Sequence, residues 1–250
     1  VSRARELALA FVQRLSGPAL ILLVWQSVVA TGAFPSQILP SPREVWDAAV
    51  FLWGLGELQD GVLASLLRAS SGLALGIATG TVLGLLAGIF PIGENILDTP
   101  MQMFRAVPIL ALVPLFILWF GIGEKSKILM VALATTFPIY LNLHAGIRGI
   151  DARYFALAPT VGLTRWEVVR QVLLPGGLAG WLVGLRYSSG MAWLVLVVSE
   201  QVNATSGLGY LMMDGRQSFR TDIVIMGIVC YTILGFLTDR GVRLLEVKLL

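Results

Sequence analysis

Charge is scarce in this sequence. Of its 250 residues only 13% are Asp, Glu, Lys or Arg, whereas 56% are hydrophobic and the mean hydropathy is +0.82. A soluble domain carries about 25% charged residues and needs them to clothe its surface, so a soluble globule is excluded. Disorder is excluded for the opposite reason, because disordered chains are rich in charge and poor in apolar side chains. Cysteine is represented by Cys230 alone, which removes a disulfide scaffold. Histidine is represented by His144 alone, with no cysteine or acid cluster beside it. That residue is read as packed or snorkelling, with no metal site and no Ser/His/Asp arrangement. The net charge of +3 does not point to nucleic acid. What remains is an integral membrane protein. A span needs about 20 apolar residues, so the chain has room for about six.

The apolar runs are Pro18 to Phe34, Gly61 to Phe90, Leu97 to Phe120, Ile128 to Ile147, Pro175 to Ser199 and Ile223 to Leu237. Between the first two, Ser41 with Pro42 and Glu44 forms a capping box with proline at the first helical position. It predicts a short interfacial helix over Pro42 to Trp53. Pro108, Pro114 and Pro138 lie inside runs and predict kinks, of the kind tolerated in membranes where helices line a cavity or pack on neighbours. The fold class is therefore all-α, a polytopic membrane protein read as one domain over residues 1–250. No short apolar core followed by a small-residue cleavage site is present near Arg3, Arg5 and Arg14, so the first span is expected to be retained.

The bases are sorted between the two sides. With the N-terminus inside, one side holds eleven of the eighteen: Arg3, Arg5, Arg14, Arg105, Arg148, Arg153, Arg165, Arg170, Arg240, Arg243 and Lys248. The other holds five, Arg43, Lys125, Lys127, Arg216 and Arg220. This bias places both termini, and the long loop at 149–174, in the cytoplasm.

Two runs carry stripes of small residues four apart. Gly72, Gly76, Gly80, Gly84 and Gly88 mark one, and Gly176, Gly180, Gly184, Ser188 and Ala192 the other. Residues four apart share a helical face, and small residues there let helices approach closely. The stripes serve tight packing, or sliding during transport, or both.

The loop at 149–174 carries the functional signal. Thr164 is an N-cap with Glu167 three residues on, a second capping box, so two short helices are expected on either side of a turn at Gly162, with Pro175 starting the next span. Gly162 is followed by nine residues, Leu163 to Gln171, and then by Val172-Leu173-Leu174-Pro175. This resembles the signature loop of the permeases of bacterial binding-protein-dependent ABC importers, written Glu-Ala-Ala, three residues, Gly, nine residues, Ile-x-Leu-Pro. The Glu-Ala-Ala part falls on Ala156-Leu157-Ala158, so its glutamate and first alanine are missing. Leu39-Pro40-Ser41-Pro42, the run Val113-Pro114 through Gly123, and Ser206-Gly207-Leu208-Gly209-Tyr210-Leu211 are similar to the nitrate/sulfonate/taurine branch.

The resemblance implies the type I importer permease fold and a loop that forms coupling helices in a groove of a cytoplasmic ATPase. It implies docking by Ala156, Ala158 and Gly162, with Leu163 and Thr164 at the tip and the Val172, Leu174 and Pro175 end of the motif closing it. Arg165, Glu167 and Arg170 either pair with the ATPase or form a solvated face. The implied partners are a second permease copy, two ATPase subunits, an extracytoplasmic solute-binding protein and the lipid bilayer of the bacterial cytoplasmic membrane. The implied cargo is a small anion such as a sulfonate, taurine, nitrate or bicarbonate, moved by alternating access.

This chain is not expected to hydrolyse ATP. Gly121-Ile-Gly123-Glu124-Lys125-Ser126 has Glu124 where a Walker A loop has glycine, and the upstream glycine is missing. No cofactor is expected in the chain, with ATP and Mg assigned to the partner. The alternative function is an ion-coupled carrier or channel, against which stands the placement of all 15 acids at span ends or in loops; coupled carriers place acids inside spans. An intramembrane enzyme is disfavoured by the lack of a polar catalytic cluster. The sequon at Asn203-Ala204-Thr205 has no meaning in a bacterial setting. Arg68 and Arg186 fall inside spans, where charge is costly. They are either substrate-path contacts, together with the pore-lining kinks at Pro108 and Pro114, or interhelical hydrogen-bond donors. The stretch from Glu200 to Asp222 is either a gate or binding-protein dock, or a re-entrant turn.

Overall fold

The computed structural model describes residues 2–250, apart from the side chains of residues 2–15 and 203. Arg3, Arg5 and Arg14 of the charge count and Asn203 of the sequon lie outside the described side chains. The described residues are helical, without strands, and form two compact units, Val1–Asp60 with Leu211–Val229 and Gly61–Tyr210 with Cys230–Leu250.

The smaller unit holds α1 (Ser2–Ala30) and α2 (Pro42–Leu55). Ser41 Oγ accepts the Glu44 N–H at 3.2 Å and Glu44 Oε2 accepts the Ser41 N–H at 2.6 Å, the expected capping box. Gly56 ends α2 in the left-handed region at φ +83°, where its N–H reaches the Trp53 carbonyl. Val45, Ala48 and Leu52 form the buried face, as three- and four-residue spacing requires. Trp25 Nε1 donates to the Pro40 carbonyl at 3.0 Å, and Thr221 Oγ1 donates to the Gln37 carbonyl at 2.5 Å.

The larger unit holds three long helices that pack together, α3 (Glu57–Ile89), α6 (Glu124–Arg148) and α9 (Leu174–Asn203), besides most of a fourth towards the C-terminus. The glycine stripe of α3 seats on α6. A Cβ built on Gly72 would lie 2.6 Å from Val131 Cβ, on Gly80 2.7 Å from Ile139 Cβ, and on Gly88 2.7 Å from Ile147 Cδ1. The partner is always 59 positions further on (72 to 131, 80 to 139, 88 to 147), so the two helices run parallel. The second stripe seats on another face of α6 in the opposite sense. A Cβ on Gly184 would lie 2.7 Å from the Pro138 carbonyl, one on Gly180 would strike that of Asn142, and Ser188 Oγ donates to the Thr135 carbonyl at 2.7 Å. Helix α6 is thus clamped between two small-residue faces, and Val131, Ala134, Thr135, Ile139 and Tyr140 on it are wholly buried.

The run read as a third span is not one kinked helix. It is α4 (Pro91–Phe104), a 3-10 turn (Ile109–Leu112) and α5 (Val113–Phe120), with an 86° bend between the two halves. Pro108 precedes the turn and Pro114 sits in the first turn of α5. Both occupy positions where the missing N–H costs little, so these prolines start elements rather than kink one. Because α3 and α6 are parallel, the bent pair must carry the chain from the Ile89 end back to the Glu124 end. It therefore acts as one crossing.

Among the described residues four helices are long and apolar enough to span a membrane, and the bent pair makes a fifth. The described apolar part of α1, Ser16–Ala30, is shorter, so the expected count of six is approximate. After α6 come α7 (Ala152–Leu157) and α8 (Arg165–Val168). The span after the loop does not begin at Pro175 as expected. From α8 the helix continues through a π turn, Val169–Leu173, into α9. Leu174 N–H reaches back five residues to the Val169 carbonyl, and Pro175, which has no N–H, follows at once. The π register absorbs the missing donor. Helices α10 (Leu208–Gln217) and α11 (Thr221–Leu249) complete the chain.

Candidate functional site

Two clusters lie at opposite ends of α6. That helix has 25 residues, so at 1.5 Å per residue about 37 Å separates its ends.

The cluster that holds the expected docking residues follows Arg148. Asp151 caps α7, its Oδ1 accepting the Arg153 N–H at 2.9 Å while Oδ2 pairs with the Arg153 guanidinium at 2.7 Å. The guanidinium first, and then the backbone N–H, hold the Asp151 carboxyl below the usual carboxylate range. Gly162 turns the chain at φ +77°, a conformation costly for any residue with a Cβ. Thr164 caps α8: Glu167 N–H donates to Thr164 Oγ1 at 3.3 Å, and Thr164 N–H and Oγ1 both donate to Glu167 Oε2 at 2.7 Å. Glu167 is committed to this cap, whereas Arg165 projects freely. Of the expected docking residues, Ala156, Gly162, Thr164, Arg165, Leu174 and Pro175 are exposed, and Leu163, Glu167 and Val172 are half-buried. Ala158 is instead 5% exposed, and its carbonyl accepts the Leu163 N–H at 3.0 Å; it braces the turn from within. Trp166 and Val161 are 71% and 74% exposed, so the tip presents an apolar surface rimmed by charge. Behind it a cavity of about 390 Å³ opens between the end of α6, Tyr154, Gln171 and Val172.

At this same end Arg148 pairs with Glu94 of α4. His144 stacks on Tyr140 at 5.7 Å and lies 3.7 Å from Glu94 and 3.9 Å from Asp98. Of the two readings, packed or snorkelling, it is packed, but beside two acids that its place in the sequence does not show. No group of three or more potential metal ligands occurs among the described residues.

The second cluster is built on Arg68, only 3% exposed. Its Nε donates to Glu124 Oε2 at 2.5 Å and its Nη2 to Glu124 Oε1 at 2.7 Å. Nη1 donates to Glu200 Oε1 and to the Ser206 carbonyl, both at 2.7 Å, and Nη2 also to Ser206 Oγ at 2.8 Å. All five guanidinium N–H groups are therefore used. Glu200, 1% exposed, also accepts from Ser65 Oγ at 2.9 Å, the Gly209 N–H at 2.9 Å and Tyr231 Oη at 2.7 Å. A buried ion pair survives only when its remaining polar atoms are matched in this way.

Arg68 is thus engaged by Glu124, Glu200 and Ser206. Arg186 is 41% exposed and pairs with Asp239 at 3.3 Å and Glu246 at 4.0 Å of α11. The structure does not bring Arg68 and Arg186 together: Arg68 joins α6 where Glu124 begins it, while Gly184, two positions before Arg186, packs at Pro138. Pro108 and Pro114 flank the 3-10 turn. Near it an apolar cavity of about 450 Å³ is lined by Leu75, Phe104, Phe116, Leu133 and Phe137. The hydroxyls of Thr79 and Thr136, 2.7 Å apart, supply its polarity.

Glu200 is the member of this cluster that sequence reading misses, because it lies at a span end. The signal is present nonetheless. Arg68 stands four positions before Gly72, and Glu200 eight positions after Ala192, so each charge extends a small-residue stripe. Both must face α6 rather than lipid.

Comparison with known proteins agrees with the loop. Residues 80–250 match the family described as binding-protein-dependent transport system inner membrane component. The chain is 43% identical over 233 residues to the putative aliphatic sulfonates transport permease protein SsuC of Bacillus subtilis, covering 93% of this chain and 84% of that protein. It is 44% identical to SsuC of Escherichia coli (92% and 87% covered) and 34% identical to the taurine transport system permease protein TauC of E. coli (92% and 86% covered). Among solved structures, an amino acid ABC transporter aligns with a TM-score of 0.66 at 16% identity over 80% of this chain and 97% of that one. The MetNI methionine ABC transporter, inward facing, aligns at 0.57 and 18% over 74% and 94%. At such identities these two speak for the fold alone. The chain belongs to the inner-membrane components of binding-protein-dependent transport systems, the multi-pass permease subunits of ABC importers.

Proposed function

We propose that this permease moves a small organic sulfonate, of the alkanesulfonate or taurine kind, into the bacterial cytoplasm. The observation that carries the reading is the 43% and 44% identity, over more than nine tenths of the chain, to two permeases named for aliphatic sulfonates. A pair of these chains forms the pathway, an extracytoplasmic binding protein delivers the sulfonate, and two cytoplasmic ATPases carry ATP and Mg. Both termini and the 149–174 loop face the cytoplasm, as the bias of bases requires.

The mechanism uses the chain's own geometry. Helices α7 and α8 dock on an ATPase through the exposed tip around Gly162 and Thr164. Closure of the ATPases on ATP moves that tip as a rigid body. Because α8 runs through the π turn into α9, the displacement enters α9 without an intervening loop. The small-residue faces of α3 and α9 let both helices shift against α6, which alternates access. The tests are growth on an alkanesulfonate or on taurine as sole sulfur source, in cells whose own sulfonate permeases are deleted and whose partner ATPase and binding protein match this chain. Growth that depends on this gene supports the reading, and growth without it contradicts it.

One observation favours an ion-coupled carrier, the buried carboxylate of Glu200. Its oxygens already accept from Ser65, Arg68, Gly209 and Tyr231, so it is built into the interior and does not stand open to a pore.

A further inference from the structure

Of the four charged residues in the Arg68 cluster, three are sealed and one is not. Glu200 and Arg68 have side chains 0% and 3% exposed, and Lys127 is 2% exposed. Glu124 is 58% exposed, yet it holds the outer edge of the Arg68 guanidinium in a two-pronged pair. Lys127 Nζ stands 4.0 Å from Glu124 Oε1 and is otherwise held by the Gly123 carbonyl at 3.0 Å. Two cations therefore face one exposed carboxylate. The turn that carries Glu124 is unobstructed: Gly121 has φ +77°, and a Cβ on Gly121 or Gly123 would meet nothing within 4 Å. The Glu124 side chain itself, at 58% exposed, borders open space on its outer side.

We propose that Glu124 is a built-in, displaceable occupant of an oxyanion site formed by Arg68 Nε and Nη2, Lys127 Nζ and Ser206 Oγ, and that the sulfonate group of the cargo takes its place. The proposal rests on the sulfonate reading given above. A guanidinium edge binds two oxygens of a carboxylate or of a tetrahedral oxyanion with the same pair of parallel N–H donors. With Glu124 in place the cluster holds Arg68 and Lys127 against Glu124 and Glu200, and is neutral. With Glu124 swung out it is left with one positive charge, which a monovalent sulfonate cancels. Glu200 stays behind the guanidinium and keeps it aimed, so the site is ready as soon as Glu124 leaves. The site lies at the end of α6 away from the coupling helices, the end at which the proposed topology admits the cargo. An internal competitor lowers apparent affinity by the fraction of time the site is open, which suits a station that must release its cargo onward.

The test uses the purified permease–ATPase complex without binding protein, with the thermal unfolding midpoint followed as sodium methanesulfonate is raised at constant ionic strength. Glu124→Gln should half-saturate at a concentration about tenfold below wild type, the factor expected for a site that Glu124 leaves open about a tenth of the time. Replacing Arg68, Glu124 and Glu200 together by Met, Gln and Gln removes the guanidinium and both carboxylates, leaves Lys127 on the Gly123 carbonyl as the one buried charge, and should abolish the shift. Equal half-saturation in wild type and Glu124→Gln, no shift in either, or a shift that survives the triple variant overturns the proposal. Sulfonate uptake by the full importer is measured alongside. Uptake without the Glu124 effect retires the site and leaves the function standing. The Glu124 effect without uptake retires the function and leaves an oxyanion site.

Discussion

Gly162 is the residue at which local conformation and function are hardest to separate. At φ +77° it lies in the left-handed region, which costs a residue with a Cβ about 1–2 kcal/mol and a β-branched one more. A Cβ there would meet nothing within 4 Å, so the penalty is in the backbone and not in packing. Gly162→Val should insert and assemble normally while substrate-stimulated ATPase activity of the complex falls about tenfold or more, the equivalent of about 1.4 kcal/mol; stimulation equal to wild type would count against the docking role. Asp151 makes a second prediction. Its folded carboxyl titrates below the unfolded value of about 3.9, so its contribution to α7 is complete above that value and is lost as pH falls through the lower folded one. Pepsin cleavage between Tyr154 and Ala156 should therefore rise below about pH 4 more steeply in wild type than in Asp151→Asn, compared at each pH so that the protease's own profile cancels.

The elements are where most of the fold is legible. The caps at Ser41 and Thr164 and the turn at Gly162 follow from side-chain chemistry within four residues. The stripes of α3 and α9 declare a packing face, and the structure gives that face a partner, α6, on both sides. The break between α4 and α5 is not legible in this way, because a proline marks a helix start as readily as a kink and only the parallel arrangement of α3 and α6 decides. The π turn before Pro175 is hidden for a similar reason: the signature loop suggests a stop, whereas the backbone resolves the missing donor by changing register. The stripes carry a graded prediction. A methyl at Gly80 would lie 2.6 Å from the Thr136 carbonyl and one at Gly184 2.7 Å from that of Pro138, which are backbone atoms that cannot yield. At Gly84 it meets the flexible Leu143 side chain at 3.0 Å. Gly80→Ala and Gly184→Ala should each destabilise by about 1–3 kcal/mol and Gly84→Ala by less, read as thermal midpoints in detergent.

At the scale of the molecule, charge in the larger unit is concentrated at the two ends of α6. One cluster gathers at its Arg148 end and the other at its Glu124 end, with an apolar length between them. Arg68 and Glu200 were visible in the sequence as a span charge and a span-end charge, but their meeting was not, since it joins positions 132 apart through a third helix. Breaking that pair from one side, as in Arg68→Met, should destabilise by about 3–5 kcal/mol by leaving Glu200 uncompensated, while Arg68→Met with Glu200→Gln should recover much of the loss. Equal losses in the single and double variants would mean the charges are not coupled. The central claim is that this chain is the sulfonate path of an ATP-driven importer. It is tested most directly by uptake of labelled methanesulfonate or taurine into proteoliposomes holding the permease, its ATPase and its binding protein. The account predicts uptake that needs all three proteins and ATP and ignores an imposed proton or sodium gradient. Uptake by the permease alone, driven by such a gradient without ATP, would contradict it.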